Sequence, residues 1–323
     1  MYSQERCYAW IYYWQELLGF DIRDYVTEHP GVISSNAQHE ILSHYVSQPL
    51  IEGASPWQMI IFRLDDGRTM TLYRFKHSVA DGIALLRLFM EHLTDEPVYF
   101  RTPNGHHQHP PVNMVQTLWS LIQDMPALWY NLLLDFQDIN PFHGDKLSGQ
   151  KRVAWSKPLP FNLIKRIKNK QDATVNDVLV ACICDALARV KSTEEKVSLF
   201  TAFIPVSTHA PAEELHLTNS LGLIPVHLDL SPRVSVMDHL QDTKAVFERM
   251  KHNNRPLATS IAQKIITSCL PDAISQPLYD FIVRKGTAVF SNLPGPQEPM
   301  FMTKARVTDL FYFVPSRSTL GKH

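Results

Sequence analysis

Segments of strand-forming composition alternate with segments of helical periodicity along this whole sequence, and such alternation is typical of mixed α/β folds. The clearest unit lies in the first third of the chain. A β-prone run over 57–64, the turn signal Asp65-Asp66-Gly67 and a second β-prone run over 70–77 predict a β-hairpin. Apolar residues at helical spacing over 79–93 predict a helix directly after that hairpin.

The other segments continue the alternation. The residue pattern predicts a helix over 161–170 and another over 173–190, with Thr174 as a plausible N-cap. Further helices are expected over 34–46, 113–136 (kinked or split at Pro126), 236–252 and 259–283. Further strands are expected over 152–156, 197–206, 221–230, 287–292 and 307–314.

The length of the chain, 323 residues, predicts about two folded units. A polar, glycine-containing run over 138–150 separates two halves that each contain alternating elements. We therefore expect an N-terminal lobe over 1–137, a linker over 138–155 and a C-terminal lobe over 156–323.

Charge and cysteine content exclude several classes of protein. The 31 basic residues nearly balance the 32 acidic ones, so nothing suggests broad nucleic-acid binding. Four scattered cysteines are too few for a disulfide framework and are expected to be reduced thiols. The first residues lack the pattern of a signal peptide, and no run approaches the roughly 18 apolar residues of a membrane span.

The segment with the clearest chemical potential is His77-Ser78-Val79-Ala80-Asp81-Gly82, at the predicted junction of strand and helix. A histidine held there can take the proton of an alcohol that attacks a carbonyl. Asp81 falls where the helix begins and could lock the turn, while Gly82 permits close approach of another segment. A histidine at such a position can also be an ordinary packing residue, and spacing alone does not decide between the two roles.

The segment from Lys76 to Gly82 resembles the His-His-x-x-x-Asp-Gly motif of the wax ester synthase/diacylglycerol acyltransferase (WS/DGAT) family, part of the CoA-dependent acyltransferase superfamily. Further segments resemble those of the family in the same order, so that the similarity covers about residues 10–316. They are Ser55-Pro56-Trp57, Val175-Asn176-Asp177-Val178, Ile204-Pro205-Val206-Ser207, Asn219-Ser220-Leu221-Gly222 and Ser291-Asn292-Leu293-Pro294-Gly295-Pro296.

The resemblance implies an α/β fold of the α+β type, with two acyltransferase-like lobes of mixed sheets and flanking helices and an active-site cleft between them. It implies transfer of a fatty acyl group from acyl-CoA to a long-chain alcohol or diacylglycerol, giving wax ester or triacylglycerol. His77 would be the general base, and acyl-CoA would be a cosubstrate with no further cofactor or metal.

The resemblance also implies roles for other residues. Asp81 is expected to act with His77, and Gly82, Asn176 and Asp177 to support the site. Ser291 and Asn292 are expected to contact substrate. Asn176 and Ser291 are candidate oxyanion donors, although Asn176 could instead simply cap its helix.

Two departures from the family pattern leave alternatives open. Lys76 stands where the family usually has the first of its two histidines, and the chain looks shortened at both ends. A catalytically inactive lipid- or CoA-binding relative is therefore one alternative. An acyltransferase for soluble amines or alcohols is another.

Long acyl substrates imply contact with a lipid phase. The apolar, tryptophan-containing segment over 114–134 could lie at a membrane, although a buried core helix would have the same pattern. Lys165, Arg166, Lys168 and Lys170 could meet CoA phosphates or anionic headgroups, or be a solvated face. We expect association with the cytosolic face of the endoplasmic reticulum, a lipid droplet or the plasma membrane. His106, His107 and His109 are not expected to bind a metal.

Overall fold

A computed structural model gives the fold of the chain. It describes residues 3–8, 11–51, 53–99, 138, 140–143, 148–190, 200–207, 214–219, 221–251, 261, 266 and 270–314. The predicted helix over 113–136 and the histidine-rich loop before it lie outside the described residues. No helix in the described part of the chain is long and apolar enough to cross a bilayer.

The first half of the chain contains a three-stranded sheet with helices attached. Strand β3 (Val26–Ile33) pairs parallel with β4 (Trp57–Leu64), and β4 pairs antiparallel with β5 (Thr69–Phe75). The parallel β3–β4 connection contains helix α1 (Gln38–Ser47), and helix α2 (Gly82–His92) follows β5. A hairpin of β1 (Ser3–Tyr8) and β2 (Ile11–Glu16) and a 3₁₀ turn (Ile22–Asp24) precede the sheet.

The β4–β5 hairpin is the one predicted from the sequence. Its turn has Gly67 at a φ of 82°, a left-handed conformation that glycine adopts without a Cβ clash. Alternate residues of β4 are buried against α1, with Ile60 and Phe62 fully inside and Leu42 of the helix beside them. Each such side chain contributes roughly 1.5–3 kcal/mol through burial.

The second half contains a second three-stranded sheet. Strand β6 (Phe200–Ser207) lies between an antiparallel partner, β7 (Leu221–Leu228), and a short parallel one, β8 (Ala288–Val289). Its helices are α3 (Phe161–Lys170), α4 (Val175–Val190), α5 (Val236–Lys251) and α6 (Asp272–Val283). Val180 and Cys184 of α4 and Phe247 of α5 pack with the buried residues of β6 and β7.

Two predicted strands are wrong. Residues 152–156 form no strand, because the N–H groups of Lys151 and Val153 bond to the Ser47 and Ser43 hydroxyls of α1 instead of to a neighbouring strand. Residues 307–314 also form none. Their apolar side chains pack instead, Val307 and Leu310 against α2 and Phe311 against Trp155.

A small hairpin that the sequence did not predict contacts Asp95, just after α2, from the C-terminal half of the chain. It consists of β9 (Phe301–Met302) and β10 (Ala305–Arg306). Its turn residues Thr303 and Lys304 have positive φ angles of 50° and 66°, and their N–H groups donate to the Asp95 carboxylate at 2.8 and 2.6 Å. These charge-assisted bonds offset the strain of the two left-handed residues.

Candidate active site

His77 lies in the turn between β5 and α2. The Val79 N–H donates to the Lys76 carbonyl at 3.1 Å and closes this turn. His77 and Ser78 are exposed, whereas Val79 and Ala80 are buried. The imidazole therefore stands at the surface on a backbone that its buried neighbours hold in place.

Asp81 is fully buried and is the N-cap of α2. Its Oδ1 accepts hydrogen bonds from the backbone N–H groups of Ile83 and Ala84 at 3.1 and 3.0 Å. These are donors of the first helical turn that would otherwise have no intrahelical partner. The structure thus confirms that Asp81 anchors the turn and explains why the helix begins at Gly82.

A segment of the second half, residues 214–219, runs beside the His77 turn. The Thr218 carbonyl accepts a hydrogen bond from the Asp81 N–H at 3.2 Å. Asn219 Nδ2 donates to the His77 carbonyl at 2.8 Å. The apolar side chains of this segment, Leu215 and Leu217, pack against the buried residues of the turn and of α2. The two halves of the chain therefore meet at His77.

Gly82 contacts the segment that follows β8. A Cβ added at Gly82 would lie 3.2 Å from Leu293 Cδ1, closer than ordinary packing. The expected close approach at Gly82 is therefore present, and its partner is the side chain of Leu293. Ser291 and Asn292, both exposed, immediately precede this contact.

The same segment reaches the start of α4. Asn292 Nδ2 donates to Asn176 Oδ1 at 2.7 Å. The capping alternative for Asn176 is wrong, because Thr174 caps the helix. Thr174 Oγ1 accepts from the Asp177 N–H at 3.2 Å, and Asp177 Oδ2 accepts from the Thr174 N–H at 2.7 Å. This reciprocal pair is a capping box.

Asp177 is a buried support for that helix start. Its side chain is 1% exposed, and Oδ1 has no hydrogen-bond partner among the described residues. The capping box therefore directs the Asp177 carboxylate inward and leaves the neighbouring Asn176 exposed.

A chain of contacts thus joins most of the predicted site residues. His77, Asp81 and Gly82 lie in one turn of the backbone, Gly82 approaches Leu293, and Asn292, next to Leu293, bonds to Asn176. Within the described residues, the His77 imidazole has no hydrogen bond or ion pair with any of the other predicted site residues. In the same part of the chain, the Ser291 hydroxyl has no hydrogen bond with them either.

Lys76 has an ion pair of its own. Its Nζ lies 3.7 Å from Glu5 Oε2 of β1, and both side chains are partly exposed. The residue that departs from the family motif is therefore turned toward the β1–β2 hairpin. Such an exposed pair contributes about 0–1 kcal/mol to stability.

Comparison with known proteins shows which proteins the chain resembles. Residues 217–322 match the model of the WS/DGAT C-terminal domain. The chain is 22% identical over 305 residues to wax ester synthase/diacylglycerol acyltransferase 2 of Arabidopsis thaliana, covering 80% of this chain and 63% of that protein. It is also 22% identical to the O-acyltransferase WSD of Acinetobacter baylyi, covering 93% of this chain and 72% of that one. The last third of the chain thus matches the WS/DGAT C-terminal domain, and most of the chain is similar to proteins named for this activity.

The fold of the chain agrees with this similarity in sequence. The WS/DGAT enzyme from Marinobacter aquaeolei VT8 superposes with a TM-score of 0.62 at 16% identity, over 95% of this chain and 71% of that one. A condensation domain of the calcium-dependent antibiotic synthetase superposes with a TM-score of 0.51 at 14% identity, over 95% and 73%. The predicted α/β fold is confirmed, and the chain spans 63% and 72% of the length of the two curated relatives.

Proposed function

We propose that this chain is an O-acyltransferase that moves a fatty acyl group from acyl-CoA to a long-chain alcohol or diacylglycerol. The observation that carries the proposal is the exposed imidazole of His77 on a turn fixed by the buried Asp81 cap. The names of the relatives support both acceptor classes. In this proposal the chain has an N-terminal lobe over 1–137 and a C-terminal lobe over 156–323, joined by a linker over 138–155.

His77 is the general base of the proposed reaction. It takes the proton of the acceptor hydroxyl as the hydroxyl oxygen attacks the thioester carbonyl of acyl-CoA. The new C–O bond gives a tetrahedral intermediate, the C–S bond then breaks, and the leaving CoA thiolate takes the proton back from His77. The step balances without a covalent acyl-enzyme or any cofactor.

Asn176 is the better of the two candidate donors to the oxyanion. Its Oδ1 already accepts a hydrogen bond from Asn292 Nδ2. The Nδ2 of Asn176 is directed away from that bond and can donate to another acceptor. The contact with Asn292 fixes the plane of the Asn176 amide. Little free energy is therefore needed to reorient this amide when negative charge develops on the thioester carbonyl oxygen. Ser291, on the neighbouring segment, is the second donor candidate.

Contact with a lipid surface is assigned in this proposal to α3. Three apolar side chains at its N-terminal end, Leu159, Phe161 and Leu163, are 70%, 50% and 52% exposed. Ile164 and Ile167 of the same helix pack against the core. Solvent-exposed apolar side chains of this size at the end of an amphipathic helix favour insertion at a bilayer interface.

The charge of α3 supports the same assignment. The sequence of the helix contains Lys165, Arg166, Lys168 and Lys170 and no acidic residue. Cations beside exposed apolar side chains favour anionic headgroups. We expect cosedimentation with vesicles containing phosphatidylglycerol, weakened when Leu159, Phe161 and Leu163 are replaced by serine. Val234→Ser, at a fully exposed apolar position in a loop, is the control.

The function is tested by acyl transfer from labelled palmitoyl-CoA to hexadecanol, to diacylglycerol and to a soluble amine in parallel reactions. The proposal predicts ester with one or both lipid acceptors and no amide. Amide alone would favour an acyltransferase for soluble acceptors. No product from a folded chain that binds acyl-CoA would favour a catalytically inactive relative.

A further inference from the structure

A side chain of the C-terminal half holds the backbone of the candidate base. Asn219 Nδ2 donates to the carbonyl of His77 at 2.8 Å, across 142 positions of sequence. The acceptor is the carbonyl of the residue whose imidazole is exposed for chemistry. A change in this hydrogen bond therefore changes the orientation of His77 itself.

A second bond from the neighbouring residue holds the other end of the same turn. The Asp81 N–H donates to the Thr218 carbonyl at 3.2 Å. Two consecutive residues, Thr218 and Asn219, thus contact the first and last residues of the segment 77–81. Leu217 packs beneath them against Val79 and Ala80.

Only one of the two polar atoms of the Asn219 side-chain amide has a hydrogen-bond partner among the described residues. Its Oδ1 is buried and has no hydrogen-bond partner in the part of the chain that the structure describes. A buried acceptor without a partner disfavours folding. The donor group of the same amide, in contrast, has a defined target in the His77 carbonyl.

We propose that Asn219 is a positioning residue for acyl transfer, and the inference rests on the function proposed above. By holding the His77 carbonyl, it fixes the turn so that the imidazole meets the acceptor hydroxyl in reactive geometry. A displacement of a catalytic group by about 1 Å can reduce the rate on the order of 100-fold. Asn219 itself touches no reacting atom.

Asn219→Asp is the variant that isolates the donor. Its shape is nearly that of asparagine, but a carboxylate cannot donate to the His77 carbonyl and repels it. The matched control is Asn140→Asp, because Asn140 Nδ2 also makes a long-range bond, to Thr287 Oγ1 at 2.8 Å, and that bond does not involve residues 77–81. Loss of that bond is expected to lower the melting temperature and leave the turn unchanged.

Two measurements test the proposal. For Asn219→Asp we expect kcat to fall by about 10- to 100-fold with KM for acyl-CoA nearly unchanged. We also expect faster amide hydrogen exchange in the peptide over 76–85, with exchange in β6 unchanged. Asn140→Asp should retain kcat and the exchange rate of that peptide despite any loss of stability.

The outcomes separate this inference from the proposed function. Wild-type kcat and wild-type exchange over 76–85 in Asn219→Asp would overturn the positioning role, as would equal rate losses in both variants. A wild-type chain without transferase activity would overturn the proposed function. In that case exchange over 76–85 would still decide whether Asn219 holds the turn.

Discussion

Asn292 and Asn176, which are 116 positions apart in sequence, are joined through their side-chain amides at 2.7 Å. The bond connects the segment after β8 to the first turn of α4, and both residues are exposed. An exposed amide pair contributes little to stability, and in the proposed function this bond orients the Asn176 amide.

Substitution of Asn176 separates its two functional groups. Asn176→Ala should lower kcat on the order of 100-fold, as the loss of one oxyanion donor does, and change the free energy of unfolding by less than about 1 kcal/mol. Asn176→Asp retains the acceptor for Asn292 and loses the donor. It should be as slow as the alanine variant. A normal rate for Asn176→Asp would show that the contact with Asn292 matters instead of the donor.

Substitution of Asp81 should affect both stability and activity. In Asp81→Ala the N–H groups of Ile83 and Ala84 lose their acceptor, which costs about 1–2 kcal/mol and releases the turn that carries His77. Urea denaturation and kcat are measured together. Asp81→Asn keeps an acceptor oxygen and should recover part of both. An Asp81→Ala protein of wild-type stability would contradict the anchoring role.

The Gly82–Leu293 contact predicts a compensating pair of substitutions. The side chain introduced by Gly82→Val would meet Leu293 Cδ1 and should destabilise the fold by about 1–3 kcal/mol. Leu293→Ala removes the obstructing atoms, so the double variant should be more stable than the sum of the single effects predicts. A double-mutant cycle of unfolding free energies measures this. Strict additivity would mean that the contact does not limit residue 82.

Stability should fall at alkaline pH through Cys184. Burial first, and then the nearby Asp229 and Asp242 carboxylates, raise the pKa of this thiol to about 12. A thiol in the unfolded chain has a pKa of about 8.5. The contribution of the Cys184 thiol to the free energy of unfolding is therefore complete below that pH and is lost as the pH rises toward 12. Urea midpoints between pH 7 and 10.5 should fall less steeply for Cys184→Ala. Parallel curves for the two proteins would contradict this.

Local sequence signals predicted the elements that depend on local structure. The Asp65-Asp66-Gly67 turn specifies the β4–β5 hairpin, and the residues of α3 were predicted with the bounds that the structure has. The N-cap role of Thr174 is also confirmed. Each follows from residues within a few positions of one another, which is why the sequence alone was sufficient.

Features that depend on distant residues were missed or wrong. The β-prone residues over 307–314 resemble a strand, but Val307 and Leu310 pack on α2 and Phe311 packs on Trp155, and the segment pairs with no neighbouring strand. Asn219 stood in a matched segment, yet its bond to His77 depends on the packing of the two halves. The resemblance to the family placed the site residues in order, and only the fold shows which of them touch.

The most direct test of the account is the rate of ester formation by His77→Ala compared with His92→Ala. His92 is an exposed histidine at the end of α2, so its loss controls for removal of a surface imidazole. We predict that His77→Ala abolishes transfer from palmitoyl-CoA while its melting temperature and circular dichroism match the wild type. His92→Ala should remain active. A His77→Ala protein with the wild-type rate would contradict the account.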